Sequence, residues 1–82
     1  MKWTKKSNGK WDIGHHYIGR KNSCTFTIRY YEYYFYAFIK SEKHDISCNT
    51  MDYGITGTLD EMKKYCEDFD PIAWKKEKKN EN

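Results

Sequence analysis

The chain has 82 residues and a mass of 10.0 kDa, which excludes a second core, since a chain this short hides only a little over ~60% of the surface its unfolded form exposes. Apolar residues make up 38% and charged ones 33%, yet aromatics reach 18%, a composition that excludes a disordered chain. The net charge of +3 is too small to dictate a nucleic-acid or membrane partner by itself, and no apolar run approaches the ~18 residues of a membrane span.

From the N-terminus, Ser7-Asn8-Gly9-Lys10 carries turn chemistry between Trp3 and Trp11 and predicts a hairpin-like start. Cys24, Phe26, Ile28 and Tyr30 alternate with Thr25, Thr27 and Arg29, the period of a strand with one buried face. Tyr33 to Lys40 is aromatic and β-branched without Gly or Pro and predicts a second strand, leaving Tyr31-Glu32 at the tight connection. A further strand is expected over roughly His44 to Tyr53.

Thr58 followed three residues later by Glu61 is a capping box, and Leu59, Met62, Tyr65, Cys66 and Phe69 share one stripe of a helix from Leu59 to about Phe69. Pro71 is expected to stop that helix, with Ile72-Ala73-Trp74 as a last apolar anchor. The segment from Lys75 to Asn82 has no apolar residue and reads as a charged, disordered tail. The expectation is one α+β domain over 1–74, an antiparallel sheet of three or four strands packed against one C-terminal helix.

Charge is distributed unevenly. Residues 1–40 carry +6, residues 41–74 carry −5 and the tail adds +2, so the domain has a basic and an acidic half. Cys24, Cys48 and Cys66 cannot all pair within one chain, and the start Met1-Lys2-Trp3-Thr4 does not read as a secretory signal, so a reduced, cytoplasmic protein is expected.

Candidate chemistry is sparse. His15, His16 and His44 with the three cysteines are zinc-type ligands, but no Cys-x-x-Cys pair is present, so packed thiols and surface imidazoles are expected and no metal. There is no Gly-x-Ser-x-Gly, no Gly-rich phosphate loop and no paired carboxylates on an apolar face, so neither an enzyme nor a cofactor is expected. Tyr30, Tyr31, Tyr33, Tyr34 and Tyr36 with Phe35 and Phe38 crowd into nine residues. Alternation sends them to two faces, one for the helix and one that either packs across strands or recognises a partner.

The Trp3-x7-Trp11 opening around Ser-Asn-Gly, then Asp52-Tyr53-Gly54 and the run from Thr58 to Glu67 together resemble small proteins of bacteriophages and prophages of low-GC bacteria. Over most of the chain the likeness is one of pattern, and no functional residue carries over. It implies a single-domain inhibitor of host defence of the anti-CRISPR kind; the strand and helix order is also similar to the arm-type DNA-binding domains of phage integrases.

Two binding functions are expected from these readings. In the first, the protein inhibits a host defence nuclease: Tyr31, Tyr33 and Tyr36 fill apolar pockets while Glu42, Asp45, Asp52, Asp60, Glu61, Glu67 and Asp68 imitate phosphates. In the second, Lys5, Lys6, Lys10, Arg20, Lys21 and Arg29 neutralise the phosphates of a nucleic acid whose bases stack on the tyrosine face. The second requires that the sheet and the helix carry opposite charge on opposite sides.

Overall fold

The computed structural model describes residues 1–7 and 15–79. Among them the chain forms five strands, β1 (Thr4–Ser7), β2 (His15–Lys21), β3 (Cys24–Tyr31), β4 (Tyr34–Ser41) and β5 (Ile46–Asn49). A 3₁₀ turn (Thr50–Tyr53) and two helices, α1 (Leu59–Glu67) and α2 (Pro71–Lys79), follow. The sheet is an antiparallel meander in the order β1-β2-β3-β4-β5. The α+β class and the antiparallel sheet are as expected, but the sheet has five strands instead of three or four and two helices follow instead of one.

The hairpins explain the register. Asn22 and Ser23 both take positive φ, 53° and 64°, as a two-residue loop needs if its twist is to match the strands it joins. Between β3 and β4 the loop is Glu32-Tyr33, one residue later than expected, with Glu32 at φ 58°. The four residues Glu42 to Asp45 turn the chain into β5, closed by the Asp45 N–H donating to the Glu42 carbonyl at 3.3 Å. The Asn8-Gly9 turn and Trp11 lie outside the described residues, but Ser7 opposite His15 closes β1 against β2 as a hairpin requires.

The strand expected over His44–Tyr53 is shorter, because the backbone curls into the 3₁₀ turn at Thr50. Asn49 caps that turn, its Oδ1 accepting from the Met51 N–H, and Gly54 ends it at φ 73°. The ladder of β4 is nevertheless completed. The buried Thr50 hydroxyl accepts from the Ala37 N–H at 2.9 Å, and Gly57 exchanges two backbone bonds with Phe35. Side chain and loop thus satisfy donors that a longer β5 would have taken.

Cys24, Phe26 and Ile28 of β3, Ala37 and Ile39 of β4 and Ile46 of β5 meet Met62, Cys66 and Phe69 in one buried cluster. Helix α1 starts at the expected capping box, with the Thr58 hydroxyl accepting from Glu61 N–H and the Glu61 carboxylate from Thr58 N–H. The Thr58 N–H donating to the carboxylate, with the Thr58 hydroxyl adding to it, lowers the pKa of Glu61. Pro71 does not end the helical region; it opens α2. Proline suits a first helical position because the N–H it lacks would have no partner there, and Asp70 Oδ1 accepts from the N–H groups of Ile72 and Ala73. The second helix carries on through Lys75–Lys79, the first residues of the expected tail.

Trp3 ties the first strand to the helix layer. Its ring lies over Gly19, where a Cβ would come within 2.9 Å of it, and its Nε1–H donates to Glu67 Oε2 at 3.1 Å. The Lys21 ammonium donates to the Glu67 carbonyl at 2.7 Å. Glycine in mid-strand here is a packing requirement.

Candidate nucleic-acid interface

All four strand pairs keep a constant register, so alternate residues share one face across the whole sheet. Phe26, Ile28, Ala37, Ile39 and Ile46 give the helix face. The opposite face is then fixed. One row across it runs Thr4, Ile18, Thr27, Phe38 and Asn49; another runs Arg20, Thr25, Lys40 and Ser47. Arg29 stands beside Tyr36, Tyr31 beside Tyr34 and Lys6 beside His16.

Arg20, Arg29, Lys40 and Lys6 therefore lie on a face to which none of the five strands contributes a carboxylate. Aromatic rings stand among these cations. Tyr34, Tyr36 and Phe38 follow one another at every second position of β4, about 6.8 Å apart by strand geometry. Phe38 keeps 39% of its surface exposed on a strand with neighbours on both sides, where an apolar ring ordinarily finds cover. A shallow depression of about 240 Å³ lies beside it, lined by Thr27, Arg29, Tyr36, Phe38 and Asn49. That is below the ~300 Å³ at which ordinary small-molecule pockets begin. Tyr31 packs edge-on against Tyr34, and the Tyr34 hydroxyl reaches Met51 Sδ at 3.5 Å.

The expected basic set is divided by this geometry. Lys6, Arg20 and Arg29 share the helix-free face, whereas Lys5 and Lys21 belong to the helix face, and Lys10 lies outside the described residues. Lys40 and Ile18 join the face without having been singled out, and Tyr34 and Phe38, expected only as part of the aromatic run, join it too. Their signal in the sequence is parity alone: Thr25, Thr27 and Arg29 on one strand, Tyr34, Tyr36, Phe38 and Lys40 on the next.

The first expected set is divided as well. Tyr36 is on the helix-free face, Tyr31 at its end, and Tyr33 at the tip of the β3–β4 hairpin, 92% exposed. The acidic members lie elsewhere: Glu42 and Asp45 in the β4–β5 turn, Asp52 in the 3₁₀ turn, and Asp60, Glu61 and Glu67 on α1 with Asp68 as its C-cap. Three of these have internal roles, Glu61 in the capping box, Glu67 bonded to Trp3, and Asp45 near the Lys75 ammonium at 3.7 Å. The α1 carboxylates lie across the sheet from Tyr36.

Among the described residues no three His, Cys, Asp or Glu side chains gather as metal ligands. Cys24 and Cys66 are buried. Burial, with the Glu67 charge adding to it, pushes the Cys66 thiol up to about 12, and burial likewise raises that of Cys24. Neither thiol is poised as a nucleophile, which must ionise to act. No helix among the described residues is long and apolar enough to cross a membrane. No family model matches the sequence, and neither the curated proteins nor the solved structures contain a match.

Proposed function

We infer that the protein binds single-stranded nucleic acid on the helix-free face of its sheet, without catalysis. The observation that carries this reading is a face with Lys6, Arg20, Arg29 and Lys40, no strand carboxylate, and among the cations an exposed Phe38 with half-buried Tyr34 and Tyr36 in line with it. Cations neutralise phosphates and release counterions, while rings accept bases of any sequence by stacking. Duplex is disfavoured by size. Five strands span about 19 Å, more than the ~12 Å width of a major groove, so the flat face cannot enter it. Rings about 6.8 Å apart give successive bases separate partners, and three of them imply a site of about three or four nucleotides.

Fluorescence anisotropy with labelled oligothymidylate and a duplex control tests the reading. Expected are saturable binding of the single strand at low salt, weaker binding of the duplex, and a loss of roughly 5- to 150-fold on Phe38→Ala from one lost stacking partner. No binding of either probe by micromolar protein overturns it.

A second reading, a phage-type inhibitor occupying a host defence nuclease in the cytoplasm of an infected cell, has one observation in its favour. Tyr33 stands almost fully exposed at the hairpin tip, close in sequence to half-exposed Tyr31 and Tyr30, and tyrosine is a common anchor of protein interfaces. Capture of a nuclease from a host lysate, followed by a cleavage assay with Tyr33→Ala as control, separates it from the first.

A further inference from the structure

The side of the molecule away from the proposed nucleic-acid face has its own concavity, a groove of about 530 Å³ between α1 and α2. Its floor is apolar. Tyr65, Phe69 and Trp74 follow one another with ring centroids 6.2 Å apart at each step, and the exposed Ala73 leaves the space above them open. The rim is acidic: among the described residues that line it, Glu61, Asp68, Asp70 and Glu77 stand against one cation, Lys64. Lys75, next to Trp74 on α2, does not neutralise it, because its ammonium is held at the Asp45 carbonyl at 2.9 Å. Glu61 and Asp70 each use an oxygen as a cap, but a carboxylate has two, and the charge stays available to a cation.

We propose that this groove docks a short Lys/Arg-rich segment of a protein partner. The chemistry of floor and rim together selects that occupant. Lys and Arg lay their methylene stems on apolar surface while their charged ends reach outward, and a guanidinium or ammonium is attracted to ring faces as well as to carboxylates. An acidic segment or a phosphate backbone meets four carboxylates and is repelled. A purely apolar segment leaves those carboxylates partly desolvated with no partner. Burial at the groove floor raises the pKa of the Tyr65 phenol, and the Glu77 carboxylate adds to it. The groove rests on the helix layer alone and holds whether or not the opposite face binds nucleic acid.

The test is a titration of the isotope-labelled protein with a short synthetic peptide of Arg and Leu, beside a Glu and Leu peptide of equal length. Expected are saturable amide shifts at Ala73 and at the Trp74 indole N–H with the basic peptide alone. The double reversal Asp68→Lys with Glu77→Lys should weaken binding tenfold or more, and Ala73→Arg, which places a long cation in the groove, should do the same. Wild-type circular dichroism of each variant shows that the fold is kept. Shifts with both peptides alike, shifts confined to other surfaces, no saturation, or unchanged affinity in folded variants each overturn the proposal. So does a dimer without peptide that dissociates in the double reversal, because the occupant is then a second copy of this chain.

Discussion

Arg20 and Lys21 are neighbours in β2, carry the same charge, and lie on opposite faces of the sheet. Replacing either by glutamine lowers the net charge from +3 to +2. A binding mode governed by net charge responds to both alike. One governed by the helix-free face responds to Arg20→Gln alone. With Lys6, Arg20, Arg29 and Lys40 each neutralising one phosphate, log K against log salt should fall with a slope of about −2.8 on a single strand. Raising salt from about 50 to about 200 mM then weakens the wild type about 50-fold. Losing one contact lowers the slope to about −2.1, and the same change of salt costs about 18-fold.

Anisotropy titrations of labelled oligothymidylate at four or more salt concentrations resolve that difference, and Lys21→Gln should retain the wild-type slope. Lys21 also donates to the Glu67 carbonyl, so its variant loses a little stability. The bond is exposed and its loss should cost less than about 1 kcal/mol, too little to unfold the protein. Equal slopes for the two variants would refute the face assignment. A slope near zero for all three proteins would refute phosphate contact altogether.

Three further outcomes concern the frame beneath that face. Thr50→Val keeps the side-chain shape but leaves the buried Ala37 N–H without its acceptor, and should cost about 1–3 kcal/mol, lowering Tm by about 4–20 °C; Thr50→Ser should recover most of it, and a valine variant melting like wild type would show that water or another group fills the role. Ser23→Gly relieves a side chain held at φ 64° in a two-residue hairpin and should stabilise by about 0.5–1 kcal/mol in denaturant titration, the removed strain exceeding the added freedom of the unfolded chain. The Cys66 thiol stays protonated in the fold up to about pH 12 but ionises near 9.0 when unfolded; the unfolded state therefore loses its proton first, stability is full below pH 9 and falls as pH rises towards 12, and a Cys48→Ser variant should react with a thiol reagent at pH 8 only in denaturant.

Legibility in the sequence followed the range of each cause. The start of α1 could be read because the capping box is a pair three residues apart, and β3 because Cys24, Phe26 and Ile28 alternate on their own. By contrast β2 was hidden. Nothing near Gly19 in the sequence marks it as mid-strand; the reason for a glycine there is Trp3, sixteen residues upstream, lying over it. Pro71 was misleading for a related reason: proline is a stop after one helix and a start for the next, and Asp70 as N-cap decides between them. The end of β5 turned on Thr50 bonding across to Ala37, a contact with no local signature. For the binding face, each strand shows its own parity, but joining Arg20 to Lys40 and Arg29 to Tyr36 needs the register between strands, set by hairpin loops whose lengths the sequence leaves open by a residue.

The uneven charge acquires its meaning from the same register. Residues 41–74 carry −5, enough to cancel most of the basic first half if all the charges met one strand of nucleic acid. Those of the helix layer do not share that surface. Helix α1, which carries Asp60 and ends at Asp68, packs on the far side of the sheet from Arg20, Arg29 and Lys40. A helix with its side chains is about 10–12 Å across, and at physiological salt the Debye length is about 8 Å. Carboxylates on the outer surface of the helix layer are thus more than one screening length from a phosphate on the helix-free face. What that phosphate meets is four nearby cations, and the same distance lets the α1/α2 groove present its carboxylates without interference from the basic face.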